Sequence, residues 1–417
     1  MKNLVVLGGG TAGTMLVNKL CPRLDATQWR ITLVDRDDAH PYQPGFLFIP
    51  FGHAADVRSR RSQVHEPVRV VLDEIDRVDS EEQVVFLASG RELDYDYLVI
   101  ASGTSPHPEQ TPGMLGPLWR QSIFDFYTLD GALALAAALT TFDRGRFVVH
   151  ITDMPIKCPV APLEFTFLAD DWFRRHGVRD AVELVFVTPL SAAFTRPVAA
   201  DRLGSMLADR GVVVEPDFLV EHIDDDAKTL VSYDGRIIGF DLLVTVPGHM
   251  GADFVGRSGL GDDLQFVPVD RHTFESKADP RIFAIGDAAD LPTSKAGSVA
   301  HFSVDVFADN FVDLVHGMPM TRAFDGHANC FIESGHHKAL LIDFNYETEP
   351  LPGSYPAPFV GPLSLLKESR TNHLGKLAFQ WIYWHLLLPG RPIPLPSAMS
   401  MTGKHETPEM RHAHHHD

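Results

Sequence analysis

Cysteine is scarce in this chain: 417 residues contain only Cys21, Cys158 and Cys330. That excludes a disulfide-stapled scaffold, which a chain of this length does not need, and directs any cysteine pair towards redox chemistry. Long hydrophobic runs are missing too. No stretch reaches the roughly 18 to 20 apolar residues of a membrane-spanning helix, so no span is expected. Positive charge is in deficit, with 36 Lys+Arg against 55 Asp+Glu and a formal net charge of -19. Such a balance repels polyanions and argues against a nucleic-acid partner. Met1 to Leu7 runs straight into a strand-like apolar stretch without a charged leader and cleavage site, so no cleaved secretory signal is expected. Repeats of solenoid length are absent as well.

What is present is a 45% hydrophobic composition, enough for two or three packed domains. Lys2 to Leu7 reads as a buried strand, Gly8 to Gly13 as a glycine-rich turn, Thr14 to Leu20 as a helix and Arg30 to Asp35 as a strand. Tyr97 to Ala101 reads as another strand, followed by a proline-rich linker. Strands at Phe147 to Thr152, Val182 to Val187 and Leu242 to Val246, with a helix at Leu163 to His176, read as a second α/β unit. Ile282 to Ile285 and the helical pattern after Gly297 return to the first. The expected fold is α/β: two Rossmann-like dinucleotide-binding-type domains plus a C-terminal aromatic-rich extension. The expected boundaries are 1–108 and 271–328 for the first domain, 109–270 for the second and 329–417 for the extension.

Gly8-Gly9-Gly10-Thr11-Ala12-Gly13 satisfies G-x-G-x-x-G between a strand and a helix. Missing β-carbons there let a pyrophosphate reach backbone amides at a helix N-terminus. Asp35 ends the next strand, where an acid accepts hydrogen bonds from ribose hydroxyls. Ala101-Ser102-Gly103-Thr104 and Ile285-Gly286-Asp287 then resemble, in the right order, the two later FAD elements of the disulfide-reductase-like flavoproteins. The resemblance implies FAD, with Asp287 on its ribityl chain; Asp287 as a helix N-cap is the plainer alternative.

Within that superfamily the chain resembles sulfide:quinone oxidoreductase and the flavoprotein subunit of flavocytochrome c sulfide dehydrogenase. Three segments carry the likeness: Tyr42 to Gly52, containing Pro44 and Gly45 and bordering the flavin in the family; Lys157-Cys158-Pro159-Val160-Ala161-Pro162; and Gly326 to Ser334. By themselves Cys158 and Cys330 could be unrelated buried thiols. The resemblance instead implies a redox pair over the flavin, in which a sulfur nucleophile attacks one sulfur and displaces the other as a thiolate. It also implies sulfide as substrate, membrane quinone as acceptor and a peripheral membrane location on an unspecified face, with homo-oligomerisation left open. The third cysteine of many quinone-reducing members is missing from Gln121 to Phe126, which favours the two-cysteine, cytochrome c-linked alternative. A non-enzymatic flavin redox sensor is the third reading. Cys21, at the end of the first helix, is expected to pack as a small hydrophobe.

The second α/β unit has Ile151 to Cys158 where a pyridine-nucleotide enzyme places another glycine turn, so NADH and NADPH are not expected donors. Lys295 and Gly297 precede a helix whose N-terminus would face negative charge on the flavin, although Lys295 could equally be a surface lysine. Glu164 and His301 are proton-transfer candidates or hydrogen-bonded structural residues. Leu363 to Arg391 mixes Lys367, Arg370, Lys376 and Arg391 with Phe379, Trp381, Ile382, Tyr383 and Trp384. This pattern suits a lipid interface or a packing helix. No metal site is expected, and His412, His414, His415 and His416 read as a tail.

Overall fold

The computed structural model describes residues 1–356, 361–393 and 395–406, so the terminal histidines lie outside the described residues. Four strands of the first hundred residues, Lys2–Leu7 (β1), Trp29–Asp35 (β2), Arg69–Leu72 (β3) and Tyr97–Ile100 (β4), lie parallel in the order β4-β1-β2-β3. Both faces of this layer are covered, which is why Leu4, Val5, Val6 and Leu7 form an unbroken apolar run no more than 2% exposed. Thr11–Leu20 (α1) covers one face; it begins three residues earlier than the apolar period predicts because Gly10 is its N-cap.

The chain then leaves this sheet and builds a second from Ile123–Phe124 (β5), Gly145–Ile151 (β6), Val182–Val187 (β7), Val213–Glu215 (β8) and Leu242–Val246 (β9). These lie parallel in the order β5-β9-β6-β7-β8. Ile282–Ala284 (β10) re-enters the first sheet beside β4, and Gly297–Val315 (α3, with α2 given below) packs against α1. Two parallel sheets, each with helical cover, meet the α/β expectation.

Ala161–Arg175 (α2) follows β6 after a nine-residue connection and packs across a third sheet. That sheet consists of Ala328–Gly335 (β11), Lys338–Phe344 (β12), Gly353–Tyr355 (β13) and Leu363–Leu365 (β14), in the order β11-β12-β14-β13. Arg370–Ile382 (α4), capped by the Ser369 hydroxyl accepting from the Asn372 N–H at 3.0 Å, lies on β11 and β12.

The extension departs from its lipid-facing reading residue by residue. Trp384 is 3% exposed; its indole N–H donates to Asp56 Oδ2 at 2.7 Å and the Arg58 guanidinium lies 4.1 Å from its ring. Tyr383, Leu387 and Leu388 are buried with it, and Phe379 and Ile382 pack half-buried on the core. Lys376 points inward. The large apolar residues of α4 that share an outward face are Leu374, Leu377 and Trp381, at 62%, 47% and 59% exposure, because positions i, i+3 and i+7 fall on one side of a helix.

Candidate functional site

Three helices begin on one cavity, and none of them has a side-chain cap. Thr11 and Ala12 of α1, Ala161 of α2, and Ala296 and Gly297 at the start of α3 all line it, and the caps Gly10, Val160 and Ala296 offer no side-chain hydrogen bond. The orphaned N–H groups and dipoles of three helix N-termini therefore face one space, which suits bound negative charge. The glycines divide into two jobs. A side chain on Gly13 would run into the Gly8 carbonyl and one on Gly8 into Ala101, so these two set how closely α1, β1 and β4 approach. By contrast, a Cβ on Gly10, Gly103 or Gly297 would meet no protein atom within 4 Å.

Gly10→Val is therefore expected to leave the fold intact and reduce flavin binding by at least about tenfold, the consequence of losing roughly 1.4 kcal/mol of contact at the pyrophosphate approach. Flavin absorbance per protein after gel filtration checks this, and full occupancy would contradict it.

Ser102 and Asp287 face the same cavity. The Ser102 hydroxyl is buried without a partner, and no protein group among the described residues hydrogen-bonds the Asp287 carboxylate. Burial raises the Asp287 pKa, with Lys295 and Lys157 pulling it back. An unpaired acid and an unpaired hydroxyl fit a polyhydroxylated, phosphate-bearing cofactor. Asp287 sits in the short turn Gly286–Ala288, made possible by the positive φ of Gly286, and does not cap α3.

Asp35 is off the cavity wall: its Oδ2 accepts from the Gly9 N–H at 2.7 Å and pairs with Arg60 at 3.2 Å. Gly8, Gly13, Gly45, Gly286 and Cys330 also lie behind the wall, whereas Pro44 is on it. Lys295 is not a surface lysine. It is 8% exposed, donates to the carbonyls of Asp287 at 2.9 Å and Ala289 at 3.2 Å, and lies 3.6 Å from the Phe266 ring centre. Its own carbonyl accepts from the Cys158 N–H at 2.5 Å, so Lys295 ties the cofactor turn to the cysteine loop. His301 is not at the site: it is buried beside Asp305 and Lys19, at the α1–α3 contact.

The packing of α2 on β11 brings the two separated cysteine segments together. Cys158 lines the cavity with φ at +49°, a strained value for a residue with a side chain. Cys330 lies behind it, 9% exposed, and both are thiols. Burial pushes the Cys158 thiol up to about 11; Lys376 opposes this, while Glu164 and Asp287 add to it. Burial and the neighbouring Cys158 raise Cys330 further. Glu164, fully buried, holds Lys376 Nζ at 2.8 Å and accepts the Glu333 N–H at 3.1 Å. Burial alone would lower the Lys376 pKa, but Glu164 and Cys158 outweigh it and keep the ammonium charged. Where the third cysteine is missing, Phe126 and Tyr127 line the wall, and the Tyr127 hydroxyl donates to the Cys158 carbonyl at 3.3 Å.

Sequence reasoning missed Lys376, Glu333, Tyr127 and Arg60. Lys376 looked like one of several cations in an amphipathic helix. The available signal for Glu333 was an acid inside an apolar strand three residues after Cys330.

Two dinucleotide-type sheets sharing a phosphate-ready cavity, with a thiol and a buried ion pair at one end, define an oxidoreductase of the flavin-dependent class. Residues 2–150 match the family described as pyridine nucleotide-disulphide oxidoreductase. The resemblance to sulfide:quinone oxidoreductases extends over nearly the whole chain. It is 25% identical over 397 residues to the mitochondrial sulfide:quinone oxidoreductase of Mus musculus, covering 93% of this chain and 86% of that protein. The crystal structure of the sulfide:quinone oxidoreductase from Aquifex aeolicus superimposes with a TM-score of 0.75 at 18% identity, over 94% of this chain and 92% of that one, a likeness of fold. A type II NADH:quinone oxidoreductase of Haemophilus influenzae is 27% identical over 372 residues, 77% of this chain and 82% of that protein.

Proposed function

We propose that this protein binds FAD, oxidises sulfide through Cys158 and Cys330, and delivers the electrons to a membrane quinone. The observation that supports this reading is the packing of α2 on β11, which sets the Cys158 and Cys330 segments beside the Glu164–Lys376 pair at the end of a cavity suited to a dinucleotide. Gly10, Thr11 and Ala12 would hold the pyrophosphate, Asp287 and Ser102 the polyol and ring edge, and Pro44, Phe46 and Leu47 the flank. Asp35 serves the adenosine end indirectly, fixing the Gly9 amide and Arg60. When bound, the flavin accepts two electrons from sulfur and passes them on.

Cys158 is the sulfur on the wall and so faces the cofactor. In the oxidised pair, HS⁻ attacks Cys330: the S–S bond breaks, a new one forms between sulfide and Cys330, and Cys158 leaves as a thiolate. Lys376 is the cation that favours this thiolate, and the free Oε2 of Glu164 can take the proton from the sulfide sulfur.

The NADH relative makes a pyridine-nucleotide donor the competing idea. Against it, the carboxyl edge of the second sheet has Thr152 to Val160, with the cysteine, in place of a glycine turn, and a separate cavity there is lined by Asp153 and Glu221. Two carboxylates repel a pyrophosphate. Anaerobic addition of sulfide is expected to bleach the flavin within the mixing time, whereas equimolar NADH leaves it oxidised. Reoxidation by a quinone analogue faster than by cytochrome c completes the test; the reverse order assigns the cytochrome-linked reaction, and bleaching by NADH alone defeats the proposal.

Membrane contact rests on Leu374, Leu377 and Trp381, since no helix among the described residues is long and apolar enough to cross a bilayer. Removing the whole extension would take Lys376 and Trp384 from the interior, so surface substitution is the cleaner probe. Leu374→Ser/Trp381→Ser is expected to retain sulfide-dependent bleaching and bind anionic liposomes about tenfold more weakly, in line with the loss of two interfacial side chains. Unchanged flotation with liposomes would remove the membrane assignment.

A further inference from the structure

A third buried acid beside the cysteines is not needed to balance Lys376, which already has Glu164. Glu333 is 2% exposed in the middle of β11, and both its carboxylate oxygens lie 2.9 Å from Nδ1 of His373 on α4. His373 is half-buried, and its ring packs edge-on, at 5.5 Å between centres, against His337, exposed on the β11–β12 turn. Inward, the Glu333 N–H donates to Glu164 Oε1, and Glu164 holds Lys376. His337, His373 and Glu333 thus lead in from the surface to within electrostatic reach of the Glu164–Lys376 pair, the hydrogen bond to Glu164 coming from the Glu333 backbone amide and not its carboxyl.

We propose that Glu333 and His373 form a proton conduit between solvent and the Glu164–Lys376 pair. This rests on the sulfide and quinone reading above. With sulfide entering as HS⁻, the balanced change is HS⁻ + quinone + H⁺ → sulfane sulfur + hydroquinone. Sulfide loses two electrons and the quinone gains them; one of the two protons on the hydroquinone comes from HS⁻ and the other from solution. Protons exchanged between the thiol end and solution have the packed layer of β11 and α4 to cross, and the Glu333–His373 contact lies across it.

The groups around Glu333 and His373 are Glu164 on α2, Cys330 on β11, Lys376 on α4 and His337 on the turn. Arg210 donates nearby to the Ser334 carbonyl while paired with Glu368. Burial first, then Glu164, pushes Glu333 up to about 8, with Lys376 opposing; burial lowers His373. Glu333 is therefore protonated at neutral pH and donates to a neutral imidazole, so the carboxyl holds the proton and His373 is the acceptor through which it exchanges outward.

The test uses the flavin-loaded full chain. His373→Ala is expected to slow sulfide-dependent quinone reduction about 10²-fold, the low end of what positioned proton transfer contributes, with imidazole in the buffer restoring the rate. Glu333→Gln should be similarly slow, Glu333→Asp faster than Glu333→Gln, and the solvent deuterium effect larger in each slow variant than in the parent. Parent-like turnover in either His373→Ala or Glu333→Gln overturns the conduit, as does a slow His373→Ala that imidazole leaves unchanged. If the parent itself shows no sulfide and quinone turnover, the functional reading fails. The conduit is then judged by infrared spectroscopy: a protonated carboxyl band titrating near pH 8 and lost in Glu333→Gln supports it, and absence of that band overturns it.

Discussion

Cys158→Ser and Cys330→Ser each keep their flavin and lose sulfide-dependent bleaching, on the order of 10⁴-fold or more, because residues acting as one nucleophilic unit fail together. The fold is complete with both cysteines as free thiols, so it does not depend on the bond of the oxidised pair, and Cys158 meets the cofactor cavity from its own loop; flavin occupancy is therefore expected to match the parent. Cys21→Ser is the control. Cys21 follows α1 with its sulfur 3.4 Å from the Glu66 carbonyl, remote from the cavity wall, and its serine variant should turn over like the parent. Anaerobic stopped-flow spectra of the three variants decide the matter: bleaching at the parent rate in either active-site variant ends the two-thiol mechanism.

Lys376→Met is expected to be the most destabilising single change at the site, by about 3–5 kcal/mol at pH 7, since it strands a buried carboxylate. Glu164 is fully buried and Lys376 nearly so, which separates them from the exposed pairs of this protein. The pH dependence has a definite sign. Burial already raises the Glu164 pKa against the pull of Lys376, and deleting the ammonium raises it further. A carboxyl with a raised folded pKa is tolerated below its unfolded value of about 4.3 and opposes folding as pH rises towards the folded value. The deficit of Lys376→Met relative to the parent should therefore shrink in acid and be largest at neutral pH and above. Adding Glu164→Gln should recover much of the loss, and urea titrations of the four proteins at pH 5 and pH 8 read out the cycle. A deficit independent of pH would mean that Lys376 acts through packing alone.

The sequence was most readable where chemistry is local. G-x-G-x-x-G needs only neighbouring residues to present open amides, so Gly10, Thr11 and Ala12 were legible from the motif alone. Ser102, Gly103 and Asp287 lie on the same cavity wall, but the pointer to them was the family resemblance; Gly297 stands there at a helix start. Strand positions followed from unbroken apolar runs, which parallel sheets buried on both faces require. The negative reading at Ile151 to Cys158 was local too, since a missing glycine turn is visible within one short segment.

Tertiary structure decided what depended on distance or direction. Cys158 and Cys330 approach only because α2 packs across β11, and no spacing within either loop encodes that contact. Lys376 and Trp381 belong to the same helix, with a similar amphipathic setting, yet one pairs with a buried carboxylate and the other faces outward. A helical pattern fixes relative directions around the axis but not which side meets the protein; that choice was made by the third sheet, whose β11 places Glu333 under α4. Asp35 is legible in sequence as the acid that ends β2, the expected place for a ribose contact, but only the fold shows its Oδ2 accepting from the Gly9 N–H and pairing with Arg60. Local backbone geometry is set by neighbours in the chain, whereas the partner of a buried charge is set by whichever element is packed above it.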